Sequence, residues 1–264
     1  MKKTKQLSIL AIALLVIPGV FATSFRDYFN VAQYIPEIFP ESSSPSPAWW
    51  VNSGGGMNIT NGFGHTLQGE QAKGSFLQKK YASQNPSETD NGYHPQNIFR
   101  LVTRSTWQNY RQQAYFRINR YILSNDSRRS ESNGILLFNR YYDQYNLYYT
   151  GIRVDGYAVI KKKINGNYYT VASKKILPGT YNRNTNPNLI PVKRWIGVRA
   201  DLNNTNGTVI VKLLTDLNAT GKWTKTLQFI DTGTGGAPLT NAAAAGIRTD
   251  FMDADFENYS MATT

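Results

Sequence analysis

The sequence contains no cysteine, and it has only 2 histidines among its 264 residues. The absence of cysteine excludes disulfides, thiol catalysis and cysteine-held metals, so the apolar core alone must stabilise the folded chain. Two histidines are too few for a zinc site built on a histidine cluster. The sequence also lacks a glycine-rich loop between a strand and a helix, and it lacks a serine elbow. Nucleotide-binding and serine-hydrolase motifs are therefore absent.

Long apolar runs are absent after residue 21, so we expect no membrane span in the mature chain. The N-terminus predicts a signal peptide at 1–22, because three lysines precede an apolar run and small residues follow it. The alternative is an uncleaved membrane anchor, which Pro18 and Gly19 near the end of the run disfavour. We therefore expect a secreted protein or one on the extracellular surface.

Acidic residues are scarce, with 17 Asp and Glu against 29 Lys and Arg, which gives a formal net charge of +12. A surface of this charge attracts polyanions. For an exported monomer the expected partner is an anionic polysaccharide, and we expect no nucleic-acid partner. The alternative is that the charge serves only solubility.

The composition divides the chain after the signal peptide into two parts. Residues 23–47 include a stretch dense in Pro and Ser, which predicts an extended linker. From about Trp49 onward aromatic residues, Gly and Asn dominate without a second break, which predicts one domain at 48–262.

Alternating apolar and polar residues predict that this domain is all-β. Four runs follow one another at 133–142, 146–154, 157–164 and 167–176, and two of the joins between them are Asp155-Gly156 and Asn165-Gly166. Asp-Gly and Asn-Gly between apolar runs are strong hairpin signals, so these runs predict an antiparallel meander. No stretch shows a sustained helical period. So many short strands in one cysteine-free domain predict a two-sheet sandwich or jelly roll.

Three stretches of the sequence are similar to a known architecture. They read NGILLFNRYYDQYNLYYTGIRVDGYAVIKKKINGNYYT, WIGVRADL and AGIRTDFMDADFENYSM. Together they resemble the concanavalin A-like (laminin G-like) jelly rolls, over about Trp49 to Met261. Segments such as HPQNIFRLVTR and VIKKKING resemble, more closely, uncharacterised exported proteins of that fold. The resemblance implies a sandwich of two antiparallel sheets, and it implies ligands on the concave face of the larger sheet. The fold carries lectins, glucanases and lyases, so function must be argued from the site.

Side-chain alternation predicts one sheet face covered with tyrosines, amides and cations. This mixture suits a glycan, because tyrosine rings stack on sugars while amides and cations bind hydroxyls and carboxylates. The alternative is an ordinary solvated face of an antiparallel sheet. The predicted glycan-binding residues are Arg117, Asn119, Asn139, Tyr141, Tyr149, Arg153, Lys161 and Lys163.

The lysine triplet at 161–163 is divided by the strand that carries it. Alternation places Lys161 and Lys163 on the proposed glycan face, and it places Lys162 with Ile160 on the predicted core face. A lysine in the core is unexpected, so we expect Lys162 to reach the sheet end or the strand to bulge there.

A second candidate site lies in the segment HPQNIFR. A lyase that acts on uronates needs a group that neutralises the carboxylate, a base and an acid, and His94, Gln96 and Arg100 are candidates for these roles. Alginate-lyase-like jelly rolls carry a Gln-x-His motif, from which HPQN departs. The alternative is a histidine that anchors a loop.

The acidic residues concentrate near the C-terminus, at Asp250, Asp253, Asp255 and Glu257. Their spacing matches the paired carboxylates of a retaining glycosidase only loosely. The resemblance implies that Asp253 and Asp255 could hold a structural calcium ion, and otherwise they belong to a charged sheet face.

Three functions follow from these observations. The first is an exported carbohydrate-binding jelly roll for acidic polysaccharide. The second is a polysaccharide lyase that cleaves uronate-containing glycan by β-elimination. The third is a cell-surface adhesion protein with a protein partner.

Overall fold

The computed structural model describes residues 24–264, so the predicted signal peptide at 1–22 lies outside the described residues. The strands are β1 Ser24–Asp27, β2 Gln33–Pro36, β3 Trp49–Ser53, β4 Gly56–Thr60, β5 Phe63–Thr66, β6 Ile98–Thr103, β7 Tyr110–Tyr121, β8 Gly134–Asp143, β9 Asn146–Arg153, β10 Tyr157–Ile164, β11 Asn167–Lys175, β12 Trp195–Thr205, β13 Thr208–Asp216, β14 Thr224–Asp231, β15 Ala244–Asp250 and β16 Met252–Thr263. One helix, α1, spans Phe76–Gln84, and short 3-10 turns span Glu41–Ser43 and Pro95–Asn97.

The strands form two antiparallel sheets, which confirms the predicted all-β sandwich. The nine-stranded sheet has the order β14-β13-β12-β7-β16-β5-β4-β2, and β1 pairs with β16 beside this path. The seven-stranded sheet has the order β11-β10-β9-β8-β15-β6-β3. The four strands β8 to β11 are the predicted meander. Neighbours such as β15 and β6 are far apart in sequence, as in a jelly roll.

The main core lies between the two sheets and is built from alternate residues of each strand. Phe116 and Ile118 of β7 and Ala158 and Ile160 of β10 are all buried in it. The core face predicted for the strand that carries the lysine triplet, β10, is therefore confirmed. Alternation also means that their intervening residues project from the two outer faces of the sandwich.

Turn chemistry explains the register of the meander. Asn165 and Gly166 both have positive φ, at 49° and 85°, as a two-residue hairpin between β10 and β11 requires. Gly156 has φ of 80° in the turn before β10. The hairpins predicted from these dipeptides are present.

Of the segment predicted as a linker at 23–47, the described residues 24–47 are part of the sandwich. Its residues form β1, which pairs with β16, and β2, which pairs with β4. Two of the serines that suggested a linker also pack against the domain. Ser44 is buried and donates a hydrogen bond to the Trp49 carbonyl at 2.6 Å, while buried Ser46 accepts one from the Trp49 amide at 3.1 Å. Local composition did not reveal these long-range pairings.

Lys162 lies in the core, where the alternation of β10 directs it. Its ammonium is fully buried and lies 2.8 Å from the carboxylate of Asp231, at the end of β14 in the other sheet. It also donates to the carbonyls of Gly236 and Ala237, at 2.7 and 3.0 Å. The first of the two expectations from the sequence, that Lys162 reaches the sheet end, is therefore wrong. The strand does bulge against β11, between Ile160 and Lys161.

Helix α1 was not predicted from the sequence. Its first turn is capped by Ser75, whose side chain accepts a hydrogen bond from the Gln78 amide. At nine residues it is far too short to cross a bilayer, and no other helix of residues 24–264 could do so.

The buried pair predicts a large stability effect. Lys162→Met leaves the Asp231 carboxylate buried without its cation, so the free energy of unfolding should fall by about 3–5 kcal/mol in urea denaturation. The double variant Lys162→Met, Asp231→Asn removes both charges, so its free energy of unfolding should fall less than that of Lys162→Met alone. Lys163→Met, one residue away on the outer face, is the control and should change stability little. A double variant less stable than Lys162→Met would contradict this account.

Candidate functional site

A pocket of about 470 Å³ lies on the outer face of the seven-stranded sheet. Side chains of six strands of this sheet meet a loop between β7 and β8 there. The pocket is lined by Glu88, Ile98, Arg100, Arg128, Ser130, Ser132, Asn133, Leu136, Tyr149, Lys161, Tyr168, Thr170, Arg248 and Asp250. Three predicted site residues, Arg100, Tyr149 and Lys161, are thus brought together.

Strand register explains why these side chains converge. Lys161 of β10 lies directly opposite Tyr149 of β9, and Arg248 of β15 lies directly opposite Arg100 of β6. Directly opposed residues of an antiparallel pair share one face of the sheet. The floor is apolar, because Leu136, Tyr149 and Val159 belong to a second buried cluster on this outer face.

The cations in the pocket differ in whether they have partners. Arg248 donates to Asp250 at 2.7 Å and to the Tyr149 hydroxyl at 3.3 Å. Lys161 is buried, yet among residues 24–264 its only hydrogen bond is to the Ser132 carbonyl at 3.4 Å. In the described part of the chain no carboxylate forms an ion pair with Arg100 or Lys161. Arg100 and Lys161 therefore face the pocket without a direct ion pair, although Asp250 and Glu88 also line it, and the Asp250 charge opposes the lowering of the Lys161 pKa.

The pocket also changes the acidity of its own groups. Burial lowers the pKa of the Lys161 ammonium to about 8, and the Arg153 and Arg248 charges act in the same direction. Burial raises the pKa of Tyr168, but the Arg248 charge and hydrogen bonds with Tyr149 and Lys163 outweigh burial and bring it down to about 8. An ammonium and a phenol that titrate near neutrality can exchange protons with a ligand.

Two further predicted residues lie beside the pocket. Lys163 shares its outer face, where its ammonium lies 4.5 Å from the centre of the Tyr168 ring. Arg153 donates to Asp155 at 2.7 Å and so is held by an ion pair at the end of β9.

Asn139 and Tyr141 were predicted to share the glycan face, and the structure separates them. Asn139 is fully buried and donates to the Thr150 hydroxyl at 3.0 Å. Arg140 has φ of 49° at an irregularity of β8, which shifts the alternation by one residue. Tyr141 therefore reaches the outer face, where its hydroxyl accepts a hydrogen bond from Asn52 at 2.9 Å.

Arg117 and Asn119 lie on the outer face of the nine-stranded sheet, on the opposite side of the sandwich. Their strand, β7, pairs with β12 and β16. Both donate to Asp255, at 2.7 and 2.6 Å. The Arg117 guanidinium lies 5.2 Å from the Phe63 ring centre and 4.7 Å from that of Trp195. The residues predicted to share one glycan-binding face therefore lie on two opposite outer faces of the sandwich.

The structure does not bring the predicted catalytic trio together. His94 Nδ1 lies 2.9 Å from Asp90, which supports the alternative of a histidine that anchors a loop. Gln96 is fully buried and donates to Asp253 at 2.9 Å. Of the three residues, only Arg100 lines the pocket.

The calcium ion predicted at Asp253 and Asp255 does not fit their surroundings. Asp253 also accepts from the Gly69 amide and from Arg120, both at 3.0 Å, and Asp255 is 2.7 Å from His65 Nδ1. Protein donors thus occupy the oxygens that calcium would need. Within residues 24–264 no group of three or more acidic or histidine side chains is placed to hold a metal.

Sequence reasoning missed Tyr168, Arg248 and Asp250. Arg248 and Asp250 alternate along β15, and Arg248 reaches the pocket only because β15 lies between β6 and β8. That strand order depends on long-range pairing, which local alternation does not reveal.

Comparison with solved structures shows the fold. The winged bean acidic lectin in complex with methyl-α-D-galactose is 8% identical over 90% of this chain and 96% of that chain, with a TM-score of 0.51. A mutant of the GH43 protein BlXynB from Bacillus licheniformis is 12% identical over 90% of this chain and 39% of that chain, with a TM-score of 0.50. No family model and no curated protein matches the sequence. The chain has the concanavalin A-like jelly-roll fold that its sequence predicts.

The acidity of Tyr168 is testable by ultraviolet titration of tyrosine ionisation. One tyrosine should ionise near pH 8, and Tyr168→Phe should remove that component. Lys163→Gln should raise the pKa of Tyr168, because it removes a cation that stabilises the phenolate. Lys175→Gln is the matched control, since Lys175 lies 5.2 Å from the ring of a different tyrosine, Tyr157. An unchanged titration in Tyr168→Phe would show that the pocket does not acidify this group.

Proposed function

We propose that the chain is an exported protein that binds acidic carbohydrate in the pocket on the outer face of the seven-stranded sheet. The observation that carries this proposal is the pair of cations without carboxylate partners, Arg100 and Lys161, beside Tyr149 and Tyr168 in one pocket.

The electrostatics of the pocket favour an anionic ligand. A buried cation without a partner costs free energy, and the low pKa of Lys161 reflects that cost. A ligand carboxylate would supply the missing counter-charge and accept charge-assisted hydrogen bonds from Arg100 and Lys161. Ligand binding would thereby offset the free-energy cost of burying the Lys161 ammonium without a carboxylate partner.

The aromatic groups favour a sugar rather than a small inorganic anion. The Tyr168 side chain is half exposed, and its ring lies 5.9 Å from that of Tyr149. Exposed tyrosine rings offer an apolar face for sugar C–H groups and a hydroxyl for hydrogen bonds. The fold is compatible with such a ligand, since the winged bean lectin holds a galactoside.

Binding of uronate oligosaccharides should depend on the two unpaired cations. Arg100→Gln and Lys161→Met should each weaken binding at least about tenfold in calorimetry, because each removes a charge-assisted hydrogen bond. Added salt should also weaken binding. Lys79→Met, which removes an exposed charge on α1, is the control and should bind normally. Normal affinity in both pocket variants would rule out this site.

A second candidate function is polysaccharide lyase, favoured by the acidity of Lys161 and Tyr168 in the same pocket. In β-elimination the Tyr168 phenolate would take the proton from the carbon next to the uronate carboxylate. The electrons of that C–H bond form a carbon–carbon double bond, the glycosidic C–O bond breaks, and the Lys161 ammonium gives a proton to the departing oxygen. Arg100 and Arg248 would stabilise the charge that develops on the carboxylate.

Lyase activity makes a separate prediction. The ultraviolet absorbance of unsaturated uronate ends should increase with time, with a bell-shaped pH profile centred near 8, because Tyr168 must be deprotonated and Lys161 protonated. Tyr168→Phe should abolish product while oligosaccharide binding remains. His94→Ala, outside the pocket, should keep the activity. Binding without any product, across acidic glycans, would leave carbohydrate binding as the function.

A further inference from the structure

Two further pockets adjoin the proposed binding pocket on the side of Arg100. Arg100 also lines a second pocket of about 290 Å³, and Trp50, Tyr141 and Tyr142 line both that pocket and a third one of about 260 Å³. Trp50 and Tyr141 pack on the outer-face cluster of the same sheet. The three pockets therefore adjoin one another along this face, and we refer to them together as the groove. We call the part beyond Arg100, lined by Phe39, Trp50, Tyr141 and Tyr142, the aromatic arm.

The aromatic arm presents rings that are held in place and partly open to solvent. Phe39 is 62% exposed and contacts Trp50 edge-on, with ring centres 5.3 Å apart. The Trp50 indole donates to the Ile38 carbonyl at 2.7 Å, and the Tyr142 hydroxyl donates to the Asn241 carbonyl at 3.1 Å. Rings anchored in this way can stack against a ligand without a large loss of side-chain freedom.

An unsatisfied acceptor lies in the same arm. The side chain of Asn52 lines the second pocket and is buried, and its amide donates to Tyr141. Within the described part of the chain, its carbonyl oxygen has no hydrogen-bond partner. Because buried acceptors are normally satisfied, this oxygen fits a ligand hydroxyl that donates to it.

The charge of the arm is opposite to that of the first pocket. Of the residues that line the second and third pockets, Arg100 at the junction is the only cation, while Asp143 and Glu41 are acidic. The Glu41 carboxylate lies 3.8 Å from Arg104 outside this lining, so Asp143 carries most of the uncompensated negative charge. A second carboxylate on the ligand would meet like charge there rather than a counter-charge. The arm therefore fits an uncharged sugar.

We propose that the groove binds a mixed glycan, in which a uronate-type sugar occupies the pocket at Arg100 and Lys161 while an adjoining neutral sugar stacks in the aromatic arm. This inference rests on the proposed function and names its substrate class. A homopolymer of uronates would also pair one carboxylate with Arg100 and Lys161. It would, however, place a second carboxylate near Asp143 and Glu41, where the like charges repel it.

Two oligosaccharide probes of equal length test the proposal by calorimetry. One probe alternates uronate and neutral sugars, and the other contains uronates only. The protein should bind the alternating probe more tightly. Phe39→Ala and Tyr142→Ala should lower the affinity for the alternating probe on the order of 3- to 10-fold and leave the affinity for the uronate-only probe unchanged. Phe76→Ala, an exposed phenylalanine on α1, is the matched control.

A gain of charge provides the converse test. Gln144→Lys places a cation at the edge of the second pocket, so binding of the uronate-only probe should strengthen. The difference in affinity between the alternating probe and the uronate-only probe should therefore decrease. The proposal is overturned if the uronate-only probe binds at least as tightly and the arm variants change nothing, while Arg100→Gln still weakens binding. If Arg100→Gln has no effect either, or neither probe binds, the proposed function itself fails.

Discussion

The buried pair of Lys162 and Asp231 is the interaction on which the arrangement of the seven-stranded sheet depends. It joins β10 to the end of β14 in the other sheet, and both side chains are fully buried. Removing two charges from water is costly, so such a pair persists only with further hydrogen bonds. Lys162 obtains them from two carbonyls of the loop before β15, and Asp231 accepts from the amides of Gly233 and Thr234. The pair thus orders that loop and also aligns the two sheets.

The same pair decides which way its neighbours point. Because side chains alternate along a strand, an inward Lys162 requires that Lys161 and Lys163 face outward. A slip of one residue in β10 would bury two lysines and expose the one that now has a partner. The unusual core lysine and the cationic pocket are therefore two consequences of one register. In the proposed function, the inward lysine serves the fold and Lys161 serves the ligand.

Local chemistry allowed much of this fold to be predicted, and long-range pairing limited the rest. The turns at Asn165-Gly166 and Gly156 predicted the meander, and alternation assigned the faces of β10 correctly. Asn139 was misplaced because a backbone irregularity at Arg140 shifts the alternation, which side-chain chemistry does not signal. Arg117 was grouped with Tyr149 because nothing local shows that β7 and β9 belong to different sheets. For the same reason Arg248 was not predicted as a site residue, and the segment at 23–47 was predicted to be a linker.

The central claim is that an acidic sugar binds where the register of β10 directs Lys161. A crystal structure of the protein with a uronate-containing oligosaccharide tests this claim most directly. The account predicts a sugar carboxylate within hydrogen-bond distance of both the Arg100 guanidinium and the Lys161 ammonium. An oligosaccharide bound instead on the opposite outer face, against Arg117 and Trp195, would contradict it.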